Sequence, residues 1–453
     1  REVRKSVRSG GIERGAYRYE WGIANRLLAK ENELTGTVMR YDYDRFDFLI
    51  RQETTDGSET DVIYRVPDFV GNLFETPERK DRKYGAGGRL LEDPNCFYHY
   101  DDEGNLVFRE FKELQDNAVT HDRKRLEKER GIRCLATGTG WLYGWASNGM
   151  LKKVIRPDGR PVEFRYDALG RRTAKRYFGK VTRWVWDGNV PLHEWSYKAI
   201  GLQSDEEGNI PPKEPAEDIT TWVFEAGTFV PAAKIQGDKQ YSIVSDYMGT
   251  PIQMYDGQGN KTWECSLDIY GKVVNFVGKL QCDCPFRFQG QYADEETGLY
   301  YNRFRYYDAS IGNYISQDPI GLAGNNPTIY GYVLDTNIWI DIWGLHLNSN
   351  SAISHFGIYE IRIKDKLYKI GKADMMRITK SSDLPTRLHQ QIRKLEKIHG
   401  KGNVEGFIVE DLGITTTLEA KNAETARLQS YYDKTGKVPE GNQKSFKPKN
   451  GNH

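Results

Sequence analysis

A β-rich body of stacked hairpins followed by a small α/β domain is the fold class this sequence predicts, and three observations carry it. The 453-residue chain is 12% aromatic, with 28 tyrosines and 45 glycines, the composition of many short strands joined by tight turns. A motif that opens on Tyr-Asp and closes on Gly recurs between Tyr19 and Asn260. All ten tryptophans lie at or before Trp343, and beyond that point helical periodicity and lysine take over. From His346 to His453, 19 Lys+Arg stand against 12 Asp+Glu, a net +7, while the residues before them carry 46 against 52, a net −6. The formal +1 of the whole chain therefore hides an acidic body and a basic tail of 108 residues.

The composition excludes several classes. No apolar run reaches membrane-spanning length, and nothing at the N-terminus reads as a signal peptide. Arg1 is not a start methionine, so the sequence reads as a fragment or a processed product. The five cysteines are too scattered for a disulfide framework, and Cys282-Asp-Cys284 lacks a second pair to complete a zinc site, so buried thiols are expected.

The repeat is clearest at Tyr100-Asp101-Asp102-Glu103-Gly104-Asn105, at Tyr166-Asp167-Ala168-Leu169-Gly170-Arg171 and at Tyr255-Asp256-Gly257-Gln258-Gly259-Asn260, with degenerate copies at Tyr19, Tyr41 and Trp186. Each copy predicts a hairpin whose Asp and Gly build the turn and whose aromatic ring stacks on its equivalent in the next hairpin. One hairpin cannot bury its apolar face alone, so the copies must stack into a continuous sheet. Arg79 to Pro94 and Gly201 to Asp218 interrupt the pattern and are expected to be surface loops. These residues resemble the tyrosine-aspartate repeat (Rhs/YD) family of polymorphic toxins, which implies a hollow shell holding a toxic cargo. Residues 1–245 then correspond to shell repeats and 246–345 to the Rhs-associated core. That core is marked by Asp246-Tyr247-Met248-Gly249, Glu296-Thr297-Gly298-Leu299-Tyr300-Tyr301, Arg305-Tyr306-Tyr307-Asp308 and Ser316-Gln317-Asp318-Pro319-Ile320-Gly321-Leu322.

The resemblance implies self-cleavage at the end of the core, where the family reads Asp-Pro-x-Gly-Leu. Here Asp341-Ile342-Trp343-Gly344-Leu345 keeps the frame, with Ile342 in place of the Pro and Asp335-Thr336 in place of an upstream Asn-Pro. Hydrolysing a peptide bond with two carboxyl groups requires one ionised and one protonated. Asp341 with Asp318 is the candidate pair, and Leu345–His346 the scissile bond. The same aspartates also fit simple turn initiation before Pro or Gly.

In the tail, Gly357 to Ile363 alternates as a strand and Leu367 to Gly371 follows after a three-residue turn, which sets Tyr359 and Lys369 on one face. A helix capped by Ser382 or Asp383, with Pro385 in its first turn, buries Leu388, Ile392, Leu395 and Ile398. A strand at Val404 to Val409 and a helix from Thr417 to Lys434, stopped by Gly436, complete the unit. This order resembles the GIY-YIG (URI-type) endonucleases. Gly357-Ile358-Tyr359 is the first signature, and Lys369-Ile370-Gly371 stands at the second with Lys369 replacing tyrosine. Arg387 matches the helix arginine, Glu424 the metal-binding glutamate and Asn442 the distal asparagine.

That resemblance implies a phosphodiester hydrolase. Tyr359 would serve as base or water-positioning group with Lys369 lowering its pKa or orienting that water, and Arg387 would bind the phosphate. Glu424 would hold one Mg²⁺ or Mn²⁺ ion, and Asn442 would orient substrate or water. The domains are then 1–245, 246–345 and 346–453. The expected partners are a DNA substrate, a cognate immunity protein, a type VI or similar contact-dependent secretion apparatus with its chaperone, and a second copy in a homo-oligomer. The chain would be made in the producer cytoplasm and delivered into that of a target bacterium. Two other readings answer to the same residues. In one the tail only binds nucleic acid or a partner, lacking turnover because Lys369 has replaced tyrosine; in the other the chain is a structural or adhesive surface protein. Taken singly, Glu424 also fits half of an exposed helical ion pair with Arg427. His389 and His399, ten residues apart on one helix, are expected to face solvent.

Overall fold

The computed structural model describes all residues except 1, 10–11, 24–25, 200–214, 322–327, 346–352, 376–377, 380–381, 444 and 449–453. The chain separates into two compact units, Arg1–Leu347 and Asn348–His453. No helix among the described residues is long and apolar enough to cross a membrane.

The first unit is built by adding antiparallel hairpins one after another. Six strands between Arg4 and Tyr64 pair in chain order, and sixteen more, from Lys83–Tyr84 to Val273–Gly278, form one sheet in which every strand pairs with its sequence neighbours. The repeat motif makes this possible through a single turn design. Asp101 Oδ1 accepts from the Asn105 N–H at 2.8 Å, and Gly104 adopts φ 80°, a left-handed conformation costly for any residue with a Cβ. The same carboxylate-capped turn recurs at Asp167, Asp246, Asp256 and Asp268, each bonding the N–H groups two and four residues on. Ser245 ends the strand Lys239–Ser245 and pairs with Pro251 of the next strand, so the long sheet runs on through that point.

A separate four-stranded sheet, Tyr292–Asp294, Leu299–Asn302, Arg305–Asp308 and Asn313–Tyr314, is buried on both faces. Leu299, Tyr301 and Tyr306 pack with Leu106, Tyr143 and Phe164 of the long sheet, whereas Tyr300, Tyr307 and Tyr314 pack with Phe288 and Tyr332. This corrects the stacking expected of the repeats. Tyr100 and Tyr166 do not meet the next hairpin but Tyr330 and Tyr301, at ring separations of 5.7 and 6.3 Å. Tyr100 and Tyr166 point inward onto the core segment because that is where apolar area is removed from water on both sides.

Two further expectations change. Arg79 to Pro94 is not a surface loop, since it contains the strands Lys83–Tyr84 and Leu90–Glu92, and Arg82 and Leu90 are buried. Arg82 donates to the carbonyls of Leu73 and Ile311, tying that sheet edge to the core. Of the cysteines, Cys96, Cys265 and Cys284 are buried free thiols, but Cys282 is exposed. The other predicted loop, Gly201 to Asp218, lies largely outside the described residues.

The second unit is a three-stranded antiparallel sheet with Ile353–Ile363 between Lys366–Asp374 and Val404–Thr416. The helix Thr386–His399 covers one face, packing Leu388 and Leu395 on Tyr359, Ile361, Ala373 and Val404. The helix Thr417–Thr435 covers the other, packing Leu428 on Ile358 and Ile370. Pro385 precedes the first helix as its cap, displacing Ser382 and Asp383 from that role, and Ile398 is 67% exposed at the frayed end of the stripe.

The hairpin reaches the predicted facing by a different route. Its turn has two residues, Lys364 and Asp365, both with positive φ, and Ile363 pairs with Lys366. Alone that turn would put Tyr359 and Lys369 on opposite faces. A bulge between Ile361 and Arg362 shifts the register by one, so Ile361 faces Lys369, Tyr359 faces Gly371, and the two side chains share a face after all. Gly371 is required there, because a Cβ would lie 2.4 Å from the Tyr359 ring and hydroxyl. Gly371→Ala is expected to destabilise the tail by about 1–3 kcal/mol through this overpacking, measurable by urea denaturation.

Candidate functional site

At the end of the first unit, Asp341 and Asp318 converge on one guanidinium. Arg305, 1% exposed, donates from Nη2 to Asp318 Oδ2 at 3.2 Å and to Asp341 Oδ2 at 3.3 Å. The same side chain donates from Nε to the Gly344 carbonyl and from Nη1 to the Ile329 carbonyl. It lies 3.7 Å over the Tyr314 ring. The Tyr314 hydroxyl donates to Asp341 Oδ2 at 2.9 Å and accepts from Asn302 Nδ2. Asp341 Oδ1 accepts from the backbone N–H of Leu345 at 3.0 Å, so the carboxylate sits on the residue before the predicted scissile bond. His346, on the other side of that bond, lies outside the described residues.

The two carboxyls sit in different surroundings. Burial pushes Asp318 up, with Arg305 opposing and Asp341 adding to the rise. Asp341 is 1% exposed and accepts from three donors. Gly344, at φ 64°, brings the chain against the Asn302 carbonyl, and Gly290 leaves room for the backbone of Ile342. Arg305, Tyr314 and Asn302 are the members that sequence reasoning passed over. Their signal was an arginine and an asparagine embedded in a run of tyrosines destined for burial, where an isolated charge requires a partner.

In the second unit, the central strand, its edge neighbour and both helices bring Tyr359, Lys369, Arg387 and Glu424 within electrostatic reach of one another, together with Lys372, which sequence reasoning also missed. Burial pushes Glu424 above the usual carboxylate range against the pull of Arg387, Lys372 and Lys369. Burial also lowers Lys369 and Lys372, with Arg387 acting in the same direction and Glu424 against it. Lys369 Nζ meets Gln391 Oε1 at 3.4 Å, one helical turn beyond Arg387.

Three assignments change here. Tyr359 is fully buried with its hydroxyl lacking a hydrogen bond of good geometry. The cation pulling its pKa down is Arg387 rather than Lys369, and burial outweighs it, so the net shift is upward. Asn442 does not face the cluster with a free amide, because Oδ1 accepts from Ile370 N–H at 2.9 Å and Nδ2 donates to Ile370 C=O at 2.8 Å. It clamps the edge strand between Lys369 and Gly371. Arg427 pairs with Glu360 at 3.0 Å rather than with Glu424, which removes the ion-pair reading of that glutamate. His399 is exposed and His389 half-buried. Among the described residues no three His, Cys, Asp or Glu side chains cluster as a metal site.

Two family models match the first unit, an RHS Repeat over residues 147–182 and a Teneurin YD-shell over residues 215–328. The Escherichia coli K12 protein YibJ is 34% identical over 158 residues, which span 67% of its length. The chain belongs to the Rhs/YD-repeat family. Its Rhs relatives include a protein named double-stranded DNA deaminase toxin A from Burkholderia cenocepacia, 30% identical over 72% of this chain. Another, from Dickeya dadantii, is named probable deoxyribonuclease RhsB and is 31% identical over 69% of this chain. The chain spans 22% and 23% of the length of these two relatives. Among solved structures, a Photorhabdus luminescens Tc holotoxin pore is 17% identical over 77% of this chain and 20% of its own, with a TM-score of 0.37. Both family models of this Rhs chain fall within Arg1–Leu347.

Proposed function

We propose that this chain is part of an antibacterial toxin that cuts its own backbone after Leu345 and frees a tail hydrolysing nucleic-acid phosphodiester bonds, DNA foremost. The observation that carries the nuclease reading is the gathering of Arg387, Lys369, Lys372 and Tyr359 around the carboxylate of Glu424. Relatives named as a deoxyribonuclease and a DNA deaminase toxin support a nucleic-acid target.

For release, Asp318 is the carboxyl with the raised pKa and acts as the proton donor to the scissile carbonyl, while Asp341, already bonded to the Leu345 N–H, activates water. Arg305 and Tyr314 fix both carboxyls in place. In the tail, Arg387 offers a fork of donors to the scissile phosphate, and Lys369 and Lys372 add positive potential. Tyr359, kept neutral by burial, positions water rather than abstracting its proton.

A hard divalent cation fits this donor set. Mg²⁺ or Mn²⁺ requires only one or two protein carboxylates, with waters and substrate phosphates completing its shell, and Glu424 is the carboxylate that would hold it. When bound, such an ion supplies charge neutralisation to the phosphate and to the leaving oxygen. Contact-dependent delivery and a cognate immunity protein complete the proposal.

The enclosure of the Tyr359 hydroxyl favours a second reading, in which the tail binds nucleic acid without turnover. Expressing residues 346–453 in a bacterial cytosol is the test. Growth arrest relieved by Glu424→Ala is expected, and unimpaired growth, or arrest indifferent to that substitution, would refute the nuclease reading.

A further inference from the structure

The cations of the tail extend beyond the centre described above. Lys369 shares a sheet face with Tyr359, under the helix Thr386–His399, whereas Lys372 pairs with Ile358 and shares the face that the helix Thr417–Thr435 covers. Both lie on Lys366–Asp374, an edge strand of the sheet. Arg387 and Glu424 act on both lysines, so the cluster straddles that strand rather than staying on one face.

One further lysine prolongs it on each side. At about 100° per residue, Arg387, Gln391 and Lys394 fall within about 60° of one another around the first helix. Gln391 Oε1 meets the Lys369 amine at 3.4 Å, which turns this stripe toward the cluster. Lys394 adds to the lowering of Lys369, after burial and Arg387. Arg393, its sequence neighbour, lies about 100° off the stripe. On the second helix Lys421 stands about one turn before Glu424 and adds to the lowering of Lys372, again after burial and Arg387. Lys394 and Lys421 are both exposed, so a ligand reaches them directly from solvent.

Five cations therefore act at this strand against the carboxylates of Glu424 and Asp374. Their mutual repulsion opposes folding, and an anion carrying several charges in a row relieves it. The spacing along the helices fits a phosphate backbone. Arg387 and Lys394 are separated by about 10 Å of helix axis, and Lys421 and Glu424 by about 5 Å. A strand of duplex advances about 3.4 Å per nucleotide, so these spans cover about three nucleotides and about one.

We infer that Lys394 and Lys421 hold backbone phosphates on either side of the scissile one, so that full engagement of the tail requires a strand of about five nucleotides. The position of the scissile phosphate rests on the nuclease reading. A single phosphodiester reaches Arg387 and Glu424 and leaves both outer lysines without a phosphate.

Binding of a fluorescein-labelled single-stranded dodecanucleotide to the full chain, measured without metal over a series of salt concentrations, tests this alongside hydrolysis of the same strand and of bis(p-nitrophenyl) phosphate with Mg²⁺. Lys394→Gln and Lys421→Gln are each expected to lower the salt slope by about 0.7, the share of one phosphate on a single strand, and to weaken binding about fivefold at about 0.1 M salt. Arg393→Gln removes the same charge from the same helix but off the stripe, and is expected to leave the slope unchanged. Hydrolysis of bis(p-nitrophenyl) phosphate is expected to be the same in all three variants as in the unsubstituted chain. Slopes unchanged by Lys394→Gln and Lys421→Gln, or lowered equally by Arg393→Gln, would overturn the assignment. Loss of slope in the two lysine variants, with neither substrate hydrolysed by the unsubstituted chain, would uphold the two phosphate contacts and overturn the nuclease reading instead.

Discussion

Asp341→Asn is expected to leave the chain uncut, with the 108-residue fragment after Leu345 missing from a denaturing gel on which the unsubstituted chain yields it. The substitution keeps shape and volume but removes the negative charge that receives Arg305, Tyr314 and the Leu345 N–H. An amide cannot take the proton from water, and general acid–base groups contribute about 10²- to 10⁴-fold to such steps. Asp318→Asn is expected to slow release comparably by removing the proton donor. The Asp318 carboxyl is pushed above its ordinary value, so its proton is retained into mildly acidic solution and lost as pH rises further. Release by the unsubstituted chain should therefore decline with rising pH at a point above the usual carboxylate range. A fragment produced at an undiminished rate by Asp341→Asn would exclude this carboxylate from the reaction.

Glu424→Gln is expected to reduce cleavage of DNA by the tail by about 10²- to 10³-fold, a magnitude typical of removing one preorganised electrostatic group. Among the described residues, Glu424 is the carboxylate that enters the electrostatics of both Lys369 and Tyr359. Losing it would deprive the proposed divalent cation of its protein ligand and takes away the carboxylate that faces Arg387, Lys369 and Lys372. Nucleic-acid affinity should then be retained or even rise, because the domain becomes more positive while phosphate binding is unimpaired. That separation of affinity from turnover distinguishes a catalytic carboxylate from one that merely holds the fold together.

The repeat and both units were legible in the sequence because their signals are local. An Asp followed three residues later by Gly, between alternating apolar residues, dictates a carboxylate-capped turn wherever it occurs. The charge change beyond Trp343 marks the second unit just as directly. Contacts between distant segments stayed hidden. That Tyr100 and Tyr166 meet Tyr330 and Tyr301, rather than each other, results from the folding-in of the four-stranded sheet, which no repeat period encodes. Arg305 lay within a recognised motif, yet its role as the link between two aspartates 23 positions apart in the chain emerges only when the core closes. The facing of Tyr359 and Lys369 was reached with the wrong turn length, because a single-residue bulge cancelled the error. Asn442 carries a contact that the motif match does not encode. A motif match proposed contact with substrate or water, and the backbone of Ile370 takes up its amide.

That a self-cutting body delivers a tail that breaks nucleic acid is tested most directly by conversion of supercoiled plasmid by the released 108-residue fragment in the presence of Mg²⁺. Nicked and linear plasmid is expected from the unsubstituted fragment, and intact supercoiled plasmid from Glu424→Gln at equal concentration. Equal conversion by both fragments, or none by either, would contradict the proposal.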